Sequence, residues 1–130
     1  TTNGDWASFT GNLIRMAPSY TEFNAAGDVD NNYFYYDDPT QSNPHFLQVL
    51  GYTRDQTVSN NVFDTNVDQP GQDGDCILLA TPASACTVTI ENNVIVRGIG
   101  GKSVGTLFTQ LGNANTSIIC NHNTMYVAKL

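Results

Sequence analysis

At 130 residues, with 40% hydrophobic and 10% aromatic side chains, the chain holds at most one domain and is too apolar to be disordered. Twelve acidic residues against five basic ones give a formal charge of −7, which repels phosphate backbones and excludes nucleic acid as a partner. No run of about 18 apolar residues exists, which excludes a helical membrane span.

Residues 1–12 read as an N-terminal cap or lead-in, in which Trp6 and Phe9 can cover a first layer. The opening Thr1-Thr2-Asn3-Gly4 has neither an initiator Met nor a signal peptide, as expected of a processed product or a piece of a longer chain. From residue 13 to 130 the chain reads as a train of short strands. Leu13-Ile14-Arg15-Met16 is a weak first member of one strand family, ended by Pro18. Gly27-Asp28-Val29-Asp30-Asn31-Asn32-Tyr33-Phe34 opens a second pattern, which recurs as Gln56 to Phe63, Val88 to Ile95 and Ile118 to Met125. The steps are 29, 32 and 30 residues, a near-constant period that marks a repeat architecture.

Aligned, the four segments give columns. Val29, Val58, Ile90 and Cys120 form one apolar column, and Phe34, Phe63, Ile95 and Met125 a second. Between them stand Asn32, Asn61, Asn93 and Asn123, where the chain must bend. Asn tolerates the left-handed conformation, and its amide can donate to and accept from its counterpart one repeat away, so this column predicts an asparagine ladder. A second strand family aligns Phe46-Leu47-Gln48-Val49-Leu50, Ile77-Leu78-Leu79-Ala80-Thr81 and Leu107-Phe108-Thr109-Gln110-Leu111 at steps of 31 and 30. One period is then strand, turn, strand, Asn bend, strand and loop. No segment has a 3.6-residue apolar period, so no helix is expected. An antiparallel sandwich is the alternative, but it needs hairpin turns and leaves the matching columns without a cause.

The recurring Ile-x-Asn-Asn-x-Ile of Ile90 to Ile95, once per period and with an Asn column, resembles the pectate-lyase-like parallel β-helices. That superfamily holds polysaccharide lyases, polygalacturonases, tailspikes and secreted repeat proteins. The resemblance covers about residues 13 to 128. It implies an all-β, right-handed, single-stranded parallel β-helix of about four coils of roughly 30 residues, located outside the cell or on a cell or virion surface. It implies no single activity, because one scaffold hosts many.

Chemistry should then sit in the loops after the second apolar column, which follow one strand in successive repeats and emerge on one side. The first carries Tyr35, Tyr36, Asp37 and Asp38: aromatic faces and carboxylates suited to a sugar. The second carries Asp64, Asn66, Asp68, Asp73 and Asp75, five oxygen-bearing side chains that suit Ca²⁺ or an acidic turn-rich loop in water. Asp68 is also a candidate saccharide contact. The third carries Arg97 and Lys102, which by the resemblance to lyases can neutralise a uronate and take a proton. The catalytic candidates are thus Asp37, Asp38, Arg97 and Lys102, without the Gly-His-Gly and Arg-Ile-Lys signatures of polygalacturonases. His122 takes the column position of Asn31, Asn60 and Asn92 and reads as a turn residue, and His45 has no evident partner. Cys76, Cys86 and Cys120 cannot all pair internally; a Cys76–Cys86 disulfide and small buried hydrophobes stand as alternatives.

The expected function is recognition or processing of an extracellular polysaccharide, with a non-catalytic structural or adhesive rod as the alternative. Apolar layers and strand edges at the ends of such a stack must be continued, capped or paired. The expected partners are therefore a homo-oligomer, a longer parent chain or end-to-end stacking.

Overall fold

The structure is a computed structural model and describes residues 8–15, 23–25, 27–36, 47–49, 54–65, 75–79, 85–97, 106–110 and 116–127. Among these residues there is no helix. The strands are β1 (Ser8–Thr10), β2 (Leu13–Arg15), β3 (Phe23–Ala25), β4 (Asp28–Asp30), β5 (Tyr33–Tyr36), β6 (Leu47–Val49) and β7 (Gln56–Ser59). They continue as β8 (Val62–Thr65), β9 (Asp75–Leu79), β10 (Cys86–Glu91), β11 (Val94–Arg97), β12 (Thr106–Gln110), β13 (Thr116–Asn121) and β14 (Thr124–Val127). Every pairing among them is parallel, which removes the antiparallel sandwich.

Each sheet takes every third strand. The first runs β1-β4-β7-β10-β13, the second β2-β5-β8-β11-β14 and the third β3-β6-β9-β12. One sequence period therefore supplies one strand to each sheet, which is why apolar columns at a period near 30 become neighbours across strands. The two columns read from the sequence are in register: Val29, Val58, Ile90 and Cys120 in the first sheet, Phe34, Phe63, Ile95 and Met125 in the second.

Alternation buries one face of each strand. In β10, Cys86, Val88 and Ile90 are buried and Thr87, Thr89 and Glu91 half-buried. Phe34 and Phe63 are fully buried and stack with ring centroids 5.0 Å apart. Each such side chain contributes about 1.5–3 kcal/mol of burial.

The bend between the first and second sheets is a continuous hydrogen-bond chain. The backbone N–H and Nδ2 of Asn32 donate to Oδ1 of Asn61 at 2.9 and 3.1 Å, and Asn61 and Asn93 donate likewise to Asn93 and Asn123, all at 3.0 Å. Each Nδ2 also donates to a carbonyl of the preceding repeat: Asn61 to Val29, Asn93 to Val58 and Asn123 to Ile90, at 2.9 Å. Asn32, Asn61 and Asn93 are buried, and an unpaired amide there would cost about 1–3 kcal/mol.

Four sequence readings need correction. The left-handed residues are not the ladder asparagines but those just before them: Asn31, Asn60 and Asn92 at φ 55°, His122 at φ 51° and Gly11 at φ 71°. The first Asn of each pair turns the chain and the second bonds between repeats; His122 is a turn residue as read. Secondly, the ladder begins at Asn12, whose N–H and Nδ2 both donate to Asn32 Oδ1 at 3.0 Å. The paired strands thus reach back to Ser8, inside the segment read as lead-in. Thirdly, Leu13 to Arg15 pairs with Tyr33 to Tyr35 in the second sheet, and the third sheet begins at Phe23 instead. Lastly, the third-sheet register is Leu47↔Ile77↔Phe108, one residue from the Phe46, Ile77, Leu107 alignment. Leu47 is fully buried, and a one-residue slip would turn it outward.

Two inward positions stand apart. Cys86 is a free, buried thiol, so the Cys76–Cys86 disulfide is not formed. Burial pushes the Cys86 thiol up, a hydrogen bond from Thr116 opposes this and the charge of Asp55 adds to it. Gln56, opposite Val88, is buried with neither amide atom hydrogen-bonded.

Candidate functional site

The outer face of the second sheet carries the clearest concentration of recognition groups among the described residues. Pleating turns Phe34 inward, so its neighbours Tyr33 and Tyr35 both face outward. Strand register then stacks two outer columns. Leu13, Tyr33, Val62, Val94 and Thr124 form one. Arg15, Tyr35, Asp64, Val96 and Tyr126 form the other.

The two columns are joined by a diagonal contact: the Tyr33 hydroxyl donates a short hydrogen bond to Asp64 Oδ2. The hydrogen bond to Asp64 holds the Tyr33 phenol above its ordinary range, with desolvation and the charges of Asp64 and Tyr35 acting in the same sense. Asp64 Oδ1 has no hydrogen bond among the described residues and can accept one from a ligand hydroxyl. Tyr33 and Tyr126 are exposed, Tyr35 and Asp64 half-buried.

Beside Tyr33 lies an open depression of about 340 Å³ where the chain bends between the first and second sheets. Leu13, Tyr33 and Val62 give it an apolar flank, and Gly11, Asn31 and Asn60 a polar one. Asn60 Nδ2 donates to Asp30 Oδ1 at 2.7 Å, while Asn31 makes no side-chain hydrogen bond among the described residues. An aromatic wall facing amides can take a ring that has one C–H face and hydroxyls at its rim.

The sequence placed its candidates in loops, yet several lie in strands. Tyr35 and Tyr36 end β5, Asp64 lies within β8, Asp75 opens β9 and Arg97 closes β11. The strands simply run two residues past the second apolar column. The structure brings Tyr35 and Asp64 together as register neighbours. Asp64 belongs to the second sheet and Asp75 to the third. Asp37, Asp38, Asn66, Asp68, Asp73, Lys102 and His45 lie outside the described residues, which hold no cluster of three metal-ligating side chains. The loop exits are stacked as expected, because Tyr36, Thr65 and Arg97 pair across β5, β8 and β11.

Tyr33 and Asn12 were missed as site and ladder residues. Alternation about Phe34 carried the signal for Tyr33. For Asn12 it was obscured by the short first step, 20 residues to Asn32 against 29 to 32 later. Other acids serve the frame: Asp28 accepts from the Thr57 N–H, Asp30 from Ser59 and Asn60, and Asp55 from the Thr87 N–H. Among the described residues no helix is long and apolar enough to cross a membrane. Comparison with family models, with curated proteins and with solved structures finds no match for the chain.

Proposed function

We propose that the chain is a right-handed parallel β-helix segment of about four coils, related to the pectate-lyase-like proteins, that recognises an extracellular polysaccharide. The observation that carries this reading is the outer face of the second sheet, where Tyr33, held by Asp64, lines the bend depression and Tyr35 stands beside Asp64 in the next column. Tyrosine rings stack on the C–H faces of sugars while carboxylate and amide groups take hydroxyls. Support for the coil comes from the every-third-strand topology and the ladder at each bend. Binding needs only this face. Processing would draw on Asp37, Asp38, Arg97 and Lys102, and a Ca²⁺ requirement on Asp64 to Asp75.

The test is a glycan-array screen with and without Ca²⁺, with bound glycans analysed for cleavage by mass spectrometry. A saccharide should be retained, and Tyr33→Ala or Tyr35→Ala should weaken binding about two- to tenfold, the loss of one stacking contact. Silence across a broad array, or binding indifferent to both substitutions, would remove this face as the site.

A further inference from the structure

We propose that the ligand of the outer face of the second sheet is a polysaccharide bearing free amines, whose ammonium groups seat on Asp64 beside Tyr33 and Tyr35. The inference rests on the saccharide reading and adds to it the charge of the sugar.

Asp64 is enclosed by apolar and aromatic groups. In its column Tyr35 stands on one side and Val96 on the other, each about 4.8 Å away across the sheet. Tyr33 reaches it diagonally from the neighbouring column and donates to Oδ2. The side chain is half-buried, yet among the described residues it has no cationic partner. A phenol donor satisfies one oxygen and leaves the negative charge uncompensated. Arg15 belongs to the same column but lies two strands away, on the far side of Tyr35.

The other flank of the bend depression carries the same sign. Asn60, which lines it, donates to Asp30 Oδ1 at 2.7 Å, and that oxygen also accepts from the Ser59 hydroxyl at 2.8 Å. An acid therefore stands behind the polar flank, as Asp64 stands behind Tyr33 on the apolar one. The chain as a whole has a formal charge of −7, which reinforces both.

Three kinds of sugar can be weighed against this arrangement. A ring laid over Tyr33 and Tyr35 covers Asp64 and takes water from it. A neutral sugar returns a hydroxyl hydrogen bond but no charge, so the cost of desolvating the carboxylate is only partly offset. A uronate brings a second negative charge and is repelled. An ammonium replaces the lost water with a charge-assisted hydrogen bond to the open Oδ1. It also lies against the faces of two tyrosine rings, whose quadrupoles attract a cation. The amine alone gains from the rings, the carboxylate and the field together.

Calorimetric titration of the full chain with glucosamine oligomers tests this. Each oligomer is used with free amines and fully N-acetylated, beside a galacturonate oligomer of the same length. The free-amine form should bind about tenfold more tightly than the N-acetylated form, with galacturonate the weakest. Added salt should narrow that gap, because a partly exposed ion pair is screened. Asp64→Asn keeps the shape of the side chain and should abolish the preference for the amine. If this variant fails to fold by circular dichroism, the wild-type salt series decides, and a gap that salt leaves unchanged counts against the proposal. Uncharged or uronate glycans bound as well as the free amine, or a folded Asp64→Asn variant that keeps the preference, would overturn the inference and leave the saccharide reading standing. Failure to bind any of these oligomers or any glycan of the array would overturn both.

Discussion

On the inner face of β5 and β8, Phe34 stacks on Phe63; one residue along, on the outer face of the same strands, Tyr35 stands beside Asp64. The inner pair repeats, as Ile95 and Met125 further on, while the outer column changes chemistry at every step: Arg15, Tyr35, Asp64, Val96, Tyr126. A shared cavity imposes the same apolar demand on each repeat, and solvent imposes none. Repetition along the stack therefore marks packing, and departure from it marks where recognition can be placed.

The largest expected effect breaks the inner side. Phe63→Ala should destabilise by about 3–5 kcal/mol, because the fully buried ring leaves a cavity against Phe34. Tyr33→Ala, on the outer face one strand away, removes a cross-strand contact and should cost about 1 kcal/mol or less. Denaturant midpoints read both. Comparable losses would mean that the outer face is also a packing surface, and the distinction between the two would fail.

The same distinction explains what could be read from the sequence. Val29, Val58 and Ile90 declare themselves because each meets the same neighbour one period later, so the ladder and both columns were legible without coordinates. The third sheet was legible only to within one residue, since the run Ile77-Leu78-Leu79 has no polar alternation to fix which side faces in. The outer face was half legible. Tyr35 and Asp64 were singled out, but as loop residues of separate sites, because nothing in a linear reading pairs positions 29 apart except the period itself. Tyr33 was hidden for the opposite reason: within the repeat it looked like framework.

Gln56 is the inner-face position that disobeys the rule. Its column otherwise runs to Val88 and Ile118, and its amide is buried without a hydrogen bond. Gln56→Met conserves length and removes the unpaired groups, so the variant should be more stable by about 1–3 kcal/mol. An unchanged or lower urea midpoint would show that the amide is satisfied in solution, for instance by an internal water, and that the polar residue belongs to the core.

The smallest effect is confined to high pH and belongs to the outer face. The Tyr33 phenol is raised above 10.0, first by donating to Asp64, then by desolvation and by the charges of Asp64 and Tyr35. The folded state thus holds this proton more tightly than the unfolded state does. Its contribution to stability is complete below about pH 10, and it is lost as pH climbs through the raised folded value. Tyr33→Phe keeps the ring and removes the titration, so wild type and variant should run parallel from neutral pH to near 10 and converge or cross above it. Ultraviolet titration of the six tyrosines should likewise show a late phenolate in the wild type that is missing from the variant. Parallel stability curves through the alkaline range, with no late phenolate, would mean that the Tyr33–Asp64 bond does not persist in solution. The outer face would then lack the fixed aromatic–carboxylate pair on which the proposed saccharide recognition depends, while the ladder inside it would stand unaffected.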